Sequence, residues 1–203
     1  NLETVGSACG QLGGEFHRTK VAPELDAFRF AQYAGTTGIS KVGTPAALAD
    51  GAAVIAALRA GVNKMDEDEV DPNSRYLFIT PTLYGMIRDL DTTKSKEVLE
   101  SFTGVVKVPQ SRFYTAIDQY DGTTSGEEGG GYVKDTTNGC DINFMIIEKS
   151  AVIQFEKHVA PKIITPEQNQ NADAYKFGYR NVGIADVYEN KVAGIYLHHK
   201  PKG

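Results

Sequence analysis

The sequence is poor in the residues on which covalent, redox and metal chemistry usually depend. Among 203 residues there are two cysteines, four histidines and no tryptophan. Cys9 and Cys140 lie far apart and lack the spacing of metal ligands, which favours free thiols in a reducing compartment over a disulfide. No apolar run approaches the roughly 20 residues needed to cross a bilayer, and no signal sequence is visible.

Basic character is also lacking. The net charge is -5 and the isoelectric point is about 5.4. A nucleic-acid-binding surface needs clustered Lys and Arg to neutralise phosphates, and the chain contains no such cluster in sequence. The composition therefore argues against a surface dedicated to nucleic acid and predicts no sequence-specific binding to DNA or RNA.

Two motifs that suggest ligand binding have simpler structural interpretations. The glycine run at 126–131 lacks the Lys-Ser or Lys-Thr of a phosphate-binding loop, and its two glutamates would repel a nucleotide, which favours a flexible loop. The acidic stretch at 66–71 has the spacing of the first calcium ligands. However, Asp71 stands where a calcium loop needs glycine, and Leu77 stands where it needs a bidentate glutamate. A solvated acidic link between a helix and a strand is favoured.

Candidates for catalytic or metal-binding side chains are equally few. His198 and His199 are adjacent, so on a strand they point to opposite faces and cannot both serve one metal; a terminal surface pair is predicted. There is no Gly-x-Ser-x-Gly elbow and no His and Asp placed to activate a hydroxyl. Glu24 and Asp26 suit the first turn of a helix better than acid–base work. No catalytic, cofactor-binding or metal-binding residue is assigned.

The first half of the chain has helical periodicity. Apolar residues recur at helical spacing through residues 2–33, with Pro23 at a first-turn position, which predicts one broken or kinked helical region. After a loop at 35–43, Thr44 is predicted to cap a helix that begins with Pro45. The apolar stripe of that helix is Leu48, Ala52, Ile55, Leu58, Val62 and Met65.

The middle and the end of the chain favour strands. A strand at 76–79, a helix from Pro81 to Leu90, a helix at 95–102 and a strand at 105–108 predict a compact α+β lobe. Residues 118–138 form a long polar loop, read as an insertion or a mobile surface loop. The runs 144–147 and 151–155 predict a hairpin, and the runs 175–180, 184–188 and 194–198 predict the closing strands of an antiparallel sheet.

Three segments resemble the major capsid proteins of tailed bacteriophages and prophages, which share the HK97-like fold. They are EFHRTKVAPELDAFRF at 15–30, RYLFITP at 75–81 and DVYENKVAGIY at 186–196, and they occur in the expected order. Family members normally carry an N-terminal arm and an extended hairpin, the E-loop, ahead of the first segment. The chain opens at Asn1 without either, which predicts a fragment or a processed product.

The resemblance implies an α+β fold with two lobes. Residues 1–43 are expected to form the helical part of a peripheral lobe. Residues 44–149 are expected to form an axial lobe with a flexible loop at 118–139. Residues 150–203 are expected to return through the peripheral lobe and complete the sheet.

The implied function is that of a structural subunit and not of an enzyme, without cofactors. Copies of the chain would assemble noncovalently into hexamers and pentamers of an icosahedral virion capsid, made in the bacterial cytoplasm. The partners implied by the family are other copies of the chain and virion proteins such as portal or scaffold, with no membrane involved. An acidic wall is compatible with enclosing DNA, because a wall that bound the genome tightly would hinder its packing and release. The candidate residues for subunit contacts are Arg18, Glu24, Asp26 and Arg29 on the peripheral helix; solvation of a helix face is an equal alternative.

Two alternatives from other classes stay open. One is the shell protein of an HK97-like nanocompartment, which encloses enzymes instead of a genome. The other is a small α+β enzyme with a substrate site under the loop at 122–131. The enzyme predicts a deep pocket with converging polar groups, whereas a shell subunit predicts flat exposed patches.

Overall fold

A computed structural model describes residues 2–202, apart from the side chains of residues 2–7, Cys9 and His158. The helices are α1 (Leu2–Phe16), α2 (Ala22–Gly35), α3 (Gly51–Glu67), α4 (Pro81–Leu90) and α5 (Thr93–Glu100). The strands are β1 (Ser40–Lys41), β2 (Arg75–Ile79), β3 (Gly104–Lys107), β4 (Ile117–Gln119), β5 (Tyr132–Lys134), β6 (Ile142–Glu148), β7 (Val152–Ile164), β8 (Lys176–Val187) and β9 (Ile195–His199). Within residues 2–202, no helix is both long and apolar enough to cross a membrane.

The helical region at the start of the chain is interrupted in the middle. A π-helical turn, His17–Val21, joins α1 to α2, and the Ala22 N–H bonds to the His17 carbonyl. Pro23 follows directly. Because proline has no N–H to donate and its ring crowds the preceding turn, the ordinary α-helical ladder cannot continue there. The predicted interruption of this helical region is confirmed.

A five-stranded mixed sheet, in the order β1-β9-β6-β2-β3, forms the core. The central strand β6 runs antiparallel to β2 and β9, whereas β1 and β3 extend the sheet by parallel pairing. Every residue of β6 is buried because helices cover both faces. Phe144 and Ile146 pack with α3 and α4, while Met145 and Ile147 pack with α2. The α+β class is confirmed. Of the runs predicted to close an antiparallel sheet, 194–198 pairs antiparallel with β6, whereas 175–180 and 184–188 lie outside this sheet, which is mixed.

The helix predicted to begin after Thr44 is α3, and it begins later in the structure. Asp50, not Thr44, is its N-cap, and Asp50 Oδ1 accepts a hydrogen bond from the Ala53 N–H at 2.8 Å. The residues after Thr44 run extended beside β9, where the Ala46 N–H bonds to the His199 carbonyl at 3.3 Å. This pairing competes with a first helical turn at Pro45. The predicted loop at 35–43 also contains the short strand β1.

The buried face of α3 also differs from the predicted apolar stripe near the start of the helix. Val54 is buried and Ala52 is exposed, whereas Ile55, Leu58 and Met65 face the core as predicted. By contrast, β2 and α4 match the prediction to within a residue, and α5 and β3 match to within two residues.

The predicted hairpin between 144–147 and 151–155 is wrong. β6 belongs to the central sheet, whereas β7 leaves it and pairs with β8 in a separate two-stranded ribbon. A short 3₁₀ turn, Lys149–Ala151, redirects the chain between them, and Glu148 Oε1 accepts from the Ser150 N–H at 2.9 Å. The runs at 175–180 and 184–188 are parts of one strand, β8, of 12 residues.

The long polar loop contains a small hairpin that the sequence did not predict. β4 and β5 pair at its two ends, with Asp118 opposite Val133. The segment between them, residues 120–131, remains a polar and glycine-rich connection. We call this segment the acidic loop.

Candidate functional site

The four charged residues predicted for subunit contacts lie on the π-helical turn and α2, and all four contact groups of the same chain. Arg18 Nη2 lies 2.6 Å from Glu15 Oε1 in an exposed pair within the helix. This contact holds the pKa of the Glu15 carboxyl below its usual value. Glu24 Oε1 accepts a hydrogen bond from Gln119 Nε2, at the end of β4, at 3.3 Å.

Asp26 and Arg29 form ion pairs across a longer sequence distance. Asp26 Oδ2 lies 3.0 Å from Arg112 Nη1, and Arg29 Nη2 lies 2.9 Å from Glu156 Oε1 on β7. The four side chains of these two ion pairs keep part of their surface exposed. Each pair therefore contributes only about 0–1 kcal/mol to the stability of the fold. These pairs help to orient α2 within the chain. Their role between subunits stays a prediction.

An open cavity of about 670 Å³ lies beside the acidic loop, where the enzyme alternative places a substrate site. Its walls are the π-helical turn, the start of α2, the glycines at 129–131 and β5. Lys134 Nζ is 3.1 Å from Asp141 Oδ1, and this contact raises the pKa of Lys134. The Tyr132 hydroxyl donates to the Ser111 carbonyl at 2.8 Å. Two of the polar side chains in the wall are therefore engaged with protein groups instead of facing a substrate unpaired.

His198 corrects the prediction of a terminal surface pair, because it is only 3% exposed. It stacks on Phe144, with ring centroids 5.0 Å apart. Its Nδ1 lies 3.0 Å from Asn143 Nδ2, and that amide nitrogen also donates to the Ala46 carbonyl at 2.8 Å. Nδ1 is therefore the acceptor of a neutral ring. Burial, with a smaller contribution from His199, lowers the pKa of His198 to about 4.

The acidic stretch at 66–71 is more ordered than the predicted solvated link. Asp66 Oδ1 lies 2.7 Å from Nη1 of Arg75, which is only 1% exposed. The same guanidinium donates to the backbone carbonyls of Val70 and Asp71. Asp68 pairs with Lys64, a contact that lowers the pKa of Asp68. The ion pair of Asp66 and Arg75 therefore links the end of α3 to the start of β2.

The acidic loop has internal hydrogen bonds. Asp121 Oδ1 accepts from the N–H groups of Thr123 and Thr124, both at 2.7 Å, and these bonds hold the pKa of the Asp121 carboxyl far below its usual range. Glu127 accepts from the Asp121 N–H at 3.3 Å, and Glu128 accepts from a glycine N–H at 2.9 Å. The flexibility expected of this loop stays a prediction.

Other candidate ligands do not assemble into a centre. Cys140 is a half-buried free thiol, whereas the side chains of Cys9 and His158 lie outside the described residues. The His17 ring packs edge-on to Tyr179, with centroids 6.1 Å apart. Among the side chains that the structure describes, no three His, Cys, Asp or Glu residues are grouped to hold a metal ion.

The ribbon of β7 and β8 exposes a face that sequence reasoning did not single out. Gln154 bonds to the Tyr33 hydroxyl at 2.8 Å, and Phe177 packs on Phe16, so these residues face the helices. Alternation sends their neighbours to the other side. Phe155 and Ile184, directly paired across the strands, are 60% and 61% exposed. We call this side the outer ribbon face; its main residues are Phe155, Lys162, Lys176, Arg180, Val182 and Ile184.

The alternation at 175–180 carried a signal for this face. Two aromatic residues, Phe177 and Tyr179, alternate with Lys176 and Arg180, so a strand with one aromatic side and one basic side was readable in the sequence. The matching position on the other strand, Lys162, could not be assigned because the register depends on a bulge between Glu156 and His158.

Comparisons with known proteins rest on structure and not on sequence. No protein-family model and no curated protein match the chain. Among solved structures, a chain of Mycobacterium phage Che8 matches with a TM-score of 0.55 and 11% identity, covering 88% of this chain and 58% of the other. A virus-like particle from Pyrococcus furiosus matches with a TM-score of 0.58 and 10% identity, covering 87% and 63%.

The capsid structure of cyanophage P-SCSP1u matches with a TM-score of 0.56 and 15% identity, covering 98% of this chain and 66% of the other. At these identities the likeness concerns the fold. The chain has the HK97-like fold that the three sequence segments indicated. It spans 58 to 66% of the length of the three solved chains.

Proposed function

We propose that the chain is a structural subunit of an icosahedral viral capsid, of a phage or a prophage, that assembles into hexamers and pentamers. The observation that carries this proposal is the shared fold with the capsid of a cyanophage over 98% of the chain. The open surfaces and the engaged polar groups of the cavity beside the acidic loop support a role in contacts over a role in catalysis.

The proposal includes the two lobes. The helical region 1–43 belongs to a peripheral lobe, and 44–149 form an axial lobe. The segment 150–203 returns through the peripheral lobe and completes the sheet. The partners are other copies of the chain, together with virion proteins such as a portal or a scaffold. Assembly takes place in the cytoplasm of a bacterial host, and the product is the virion.

A nanocompartment shell is the second candidate, and the likeness to the virus-like particle from Pyrococcus furiosus favours keeping it. The two candidates differ in contents and not in fold. Genes for a portal and a terminase beside this gene support the capsid, whereas a gene for a cargo enzyme supports the nanocompartment.

Sedimentation of the complete gene product tests the shell function. A shell subunit is expected to sediment as large particles of narrow size distribution. Particles that retain nucleic acid after nuclease treatment support the capsid, and particles that retain a cargo protein support the nanocompartment. A protein that stays monomeric at all concentrations and hydrolyses or transfers a small substrate would instead support the enzyme alternative.

Arg18, Glu24, Asp26 and Arg29 are proposed to contribute to contacts between subunits. Arg29→Glu tests this, with Arg29→Glu/Glu156→Arg as a matched control that restores the pair inside the chain. If Arg29 acts between subunits, both variants are expected to lower the particle yield several-fold, because a reversed charge at an interface is repelled. A full recovery of yield in the double variant assigns Arg29 to the internal pair alone.

A further inference from the structure

The outer ribbon face has an apolar half and a basic half. Phe155, Val182 and Ile184 occupy the half near the central sheet, with Asp186 at its end. Farther out, Arg180 lies opposite Ala160, and Lys162 lies opposite Gly178. Lys176 completes the basic half, opposite Ile164. The described ribbon side chains that bond to or stack on α1 and α2 have the opposite alternation, so they face away from this side.

The three cations of this face have no carboxylate partner within the described residues. Lys162 is the diagonal neighbour of both Arg180 and Lys176, and like charges this close repel each other. A cluster of repelling cations beside exposed aromatic and aliphatic side chains costs stability in an isolated chain. A ligand that supplies carboxylates and apolar contact would relieve that cost.

The acidic loop and its flank, which lie outside the outer ribbon face, supply the opposite charge. Asp118, Asp121, Glu127 and Glu128 lie between residues 118 and 131, and this segment has no Lys or Arg. These carboxylates form no ion pair among the residues that the structure describes. Their hydrogen bonds are to backbone N–H groups and a threonine hydroxyl of the loop itself. The loop therefore carries negative charge that no ion pair among the described residues neutralises.

We infer that the outer ribbon face of one copy of the chain binds the acidic loop of a second copy, an inference that rests on the proposed shell function. The loop carboxylates lie against Lys162, Lys176 and Arg180, and the apolar half of the ribbon is covered by the surface that flanks the loop. The contact joins two different surfaces, so it is heterologous and can be repeated around a closed ring.

The size of the ribbon agrees with a contact of this kind. Twelve residues of β8 extend over roughly 40 Å, and two strands are roughly 10 Å wide, which gives a face of about 400 Å². A stable interface covers about 800 Å² on each partner. The ribbon contact therefore supplies about half of such an interface, and other surfaces of the subunit supply the rest.

A charge-swap series in the complete gene product tests the contact. The ribbon variant is Lys162→Glu/Arg180→Glu, the loop variant is Glu127→Lys/Glu128→Lys, and the third variant combines all four changes. The control, Lys41→Glu/Lys94→Glu, reverses two exposed cations of β1 and α5 that have no ion pair among the described residues. Particle yield is measured by sedimentation and microscopy, and folding is checked by circular dichroism and thermal melting.

Each two-residue reversal of the ribbon or the loop is expected to lower the particle yield at least about tenfold, because like charges would then meet across the contact. The combined variant is expected to recover most of the yield, and the control is expected to assemble like the wild type. Because ribbon and loop are changed separately, misfolding of one variant leaves the other as the test.

Wild-type yield in the folded ribbon or loop variant would overturn this contact while leaving the shell function intact. The absence of recovery in a folded combined variant would also overturn it. If the ribbon variant assembles normally but loses salt-sensitive binding of duplex DNA in a gel shift, the face belongs to nucleic acid and not to a second copy. A wild-type protein that forms no particles would overturn the shell function, and this contact with it.

Discussion

At the scale of the residue, Arg75 shows how a buried charge can hold two elements together. Its guanidinium reaches Asp66 at the end of α3 and the backbone carbonyls of Val70 and Asp71. These carbonyls lie where the chain leaves the helix for β2. A buried charge without its partners is unfavourable, so Arg75 requires the carboxylate of Asp66.

Arg75→Ala should therefore destabilise the chain strongly. The expected loss is about 3 kcal/mol in the free energy of unfolding, because two backbone acceptors lose their donor and a cavity remains. Arg59→Ala is the control, since Arg59 pairs with Glu97 on the surface and should cost less than about 1 kcal/mol. Urea denaturation of both variants measures the difference. Similar losses for the two variants would contradict the structural role of Arg75.

His198 predicts a dependence of stability on pH. The pKa is about 4 in the folded chain and 6.5 in the unfolded chain, so the unfolded state binds the proton more readily. This contribution is complete above pH 6.5, decreases as the pH falls, and is lost by about pH 4. The full difference corresponds to an upper limit of about 3 kcal/mol.

The measurement is the free energy of unfolding of the wild type and of His198→Gln between pH 7 and pH 4. Asp and Glu residues titrate in the same range, so the difference between the two proteins isolates the histidine. Wild type is expected to lose stability more steeply than the variant. Parallel curves would show that His198 does not titrate as its burial and its bond with Asn143 indicate.

At the scale of the element, the sequence predicted correctly those helices and strands whose ends are determined by neighbouring residues. Thr80 and Pro81 mark the start of α4 because proline is favoured in a first helical turn. The start of α3 could not be found in this way, since Pro45 offers the same signal and loses to a backbone pairing with β9, about 150 residues later. The hairpin prediction failed for the same reason: β6 finds its partners β2 and β9 far away in sequence.

The crossing of α3 and α4 depends on a glycine. A Cβ atom at Gly51 would collide with the Met86 carbonyl oxygen and lie 2.8 Å from Leu90 Cδ1. Gly51→Ala should therefore force the helices apart and cost about 1–3 kcal/mol. The control is Gly85→Ala in α4, where a Cβ meets nothing within 4 Å, and which should stabilise the chain by about 0.5–1 kcal/mol.

Thermal melting of the two variants shows the sign of each effect. The expected result is a lower midpoint for Gly51→Ala and a higher midpoint for Gly85→Ala. A melting temperature for Gly51→Ala at or above that of the wild type would contradict the close approach of the two helices.

The candidate surfaces were only partly predictable. Arg18, Glu24, Asp26 and Arg29 could be placed on one helical region from periodicity alone, but their partners Gln119, Arg112 and Glu156 come from distant elements. The outer ribbon face depends on a 13-residue strand, β7, of which only the first residues had a clear apolar pattern. Long-range pairing, and not local propensity, decides which side chains share a surface.

At the scale of the whole molecule, the fold separates a packed centre from surfaces with unbalanced charge. Hydrophobic clusters lie on both faces of the central sheet and form the packed core of the chain. The outer ribbon face and the acidic loop lie outside this core, and their Lys, Arg, Asp and Glu side chains form no ion pair among the described residues. Such a distribution suits a subunit whose edges contact further copies, and it gives little support to a chemical reaction in a single pocket.

Electron microscopy of the complete gene product, purified at physiological salt, tests the central claim most directly. We expect closed shells of uniform size, in which hexamers and pentamers of this fold can be recognised. A homogeneous preparation of folded monomers or small open oligomers, unchanged by concentration or salt, would contradict the proposal that the chain is a shell subunit.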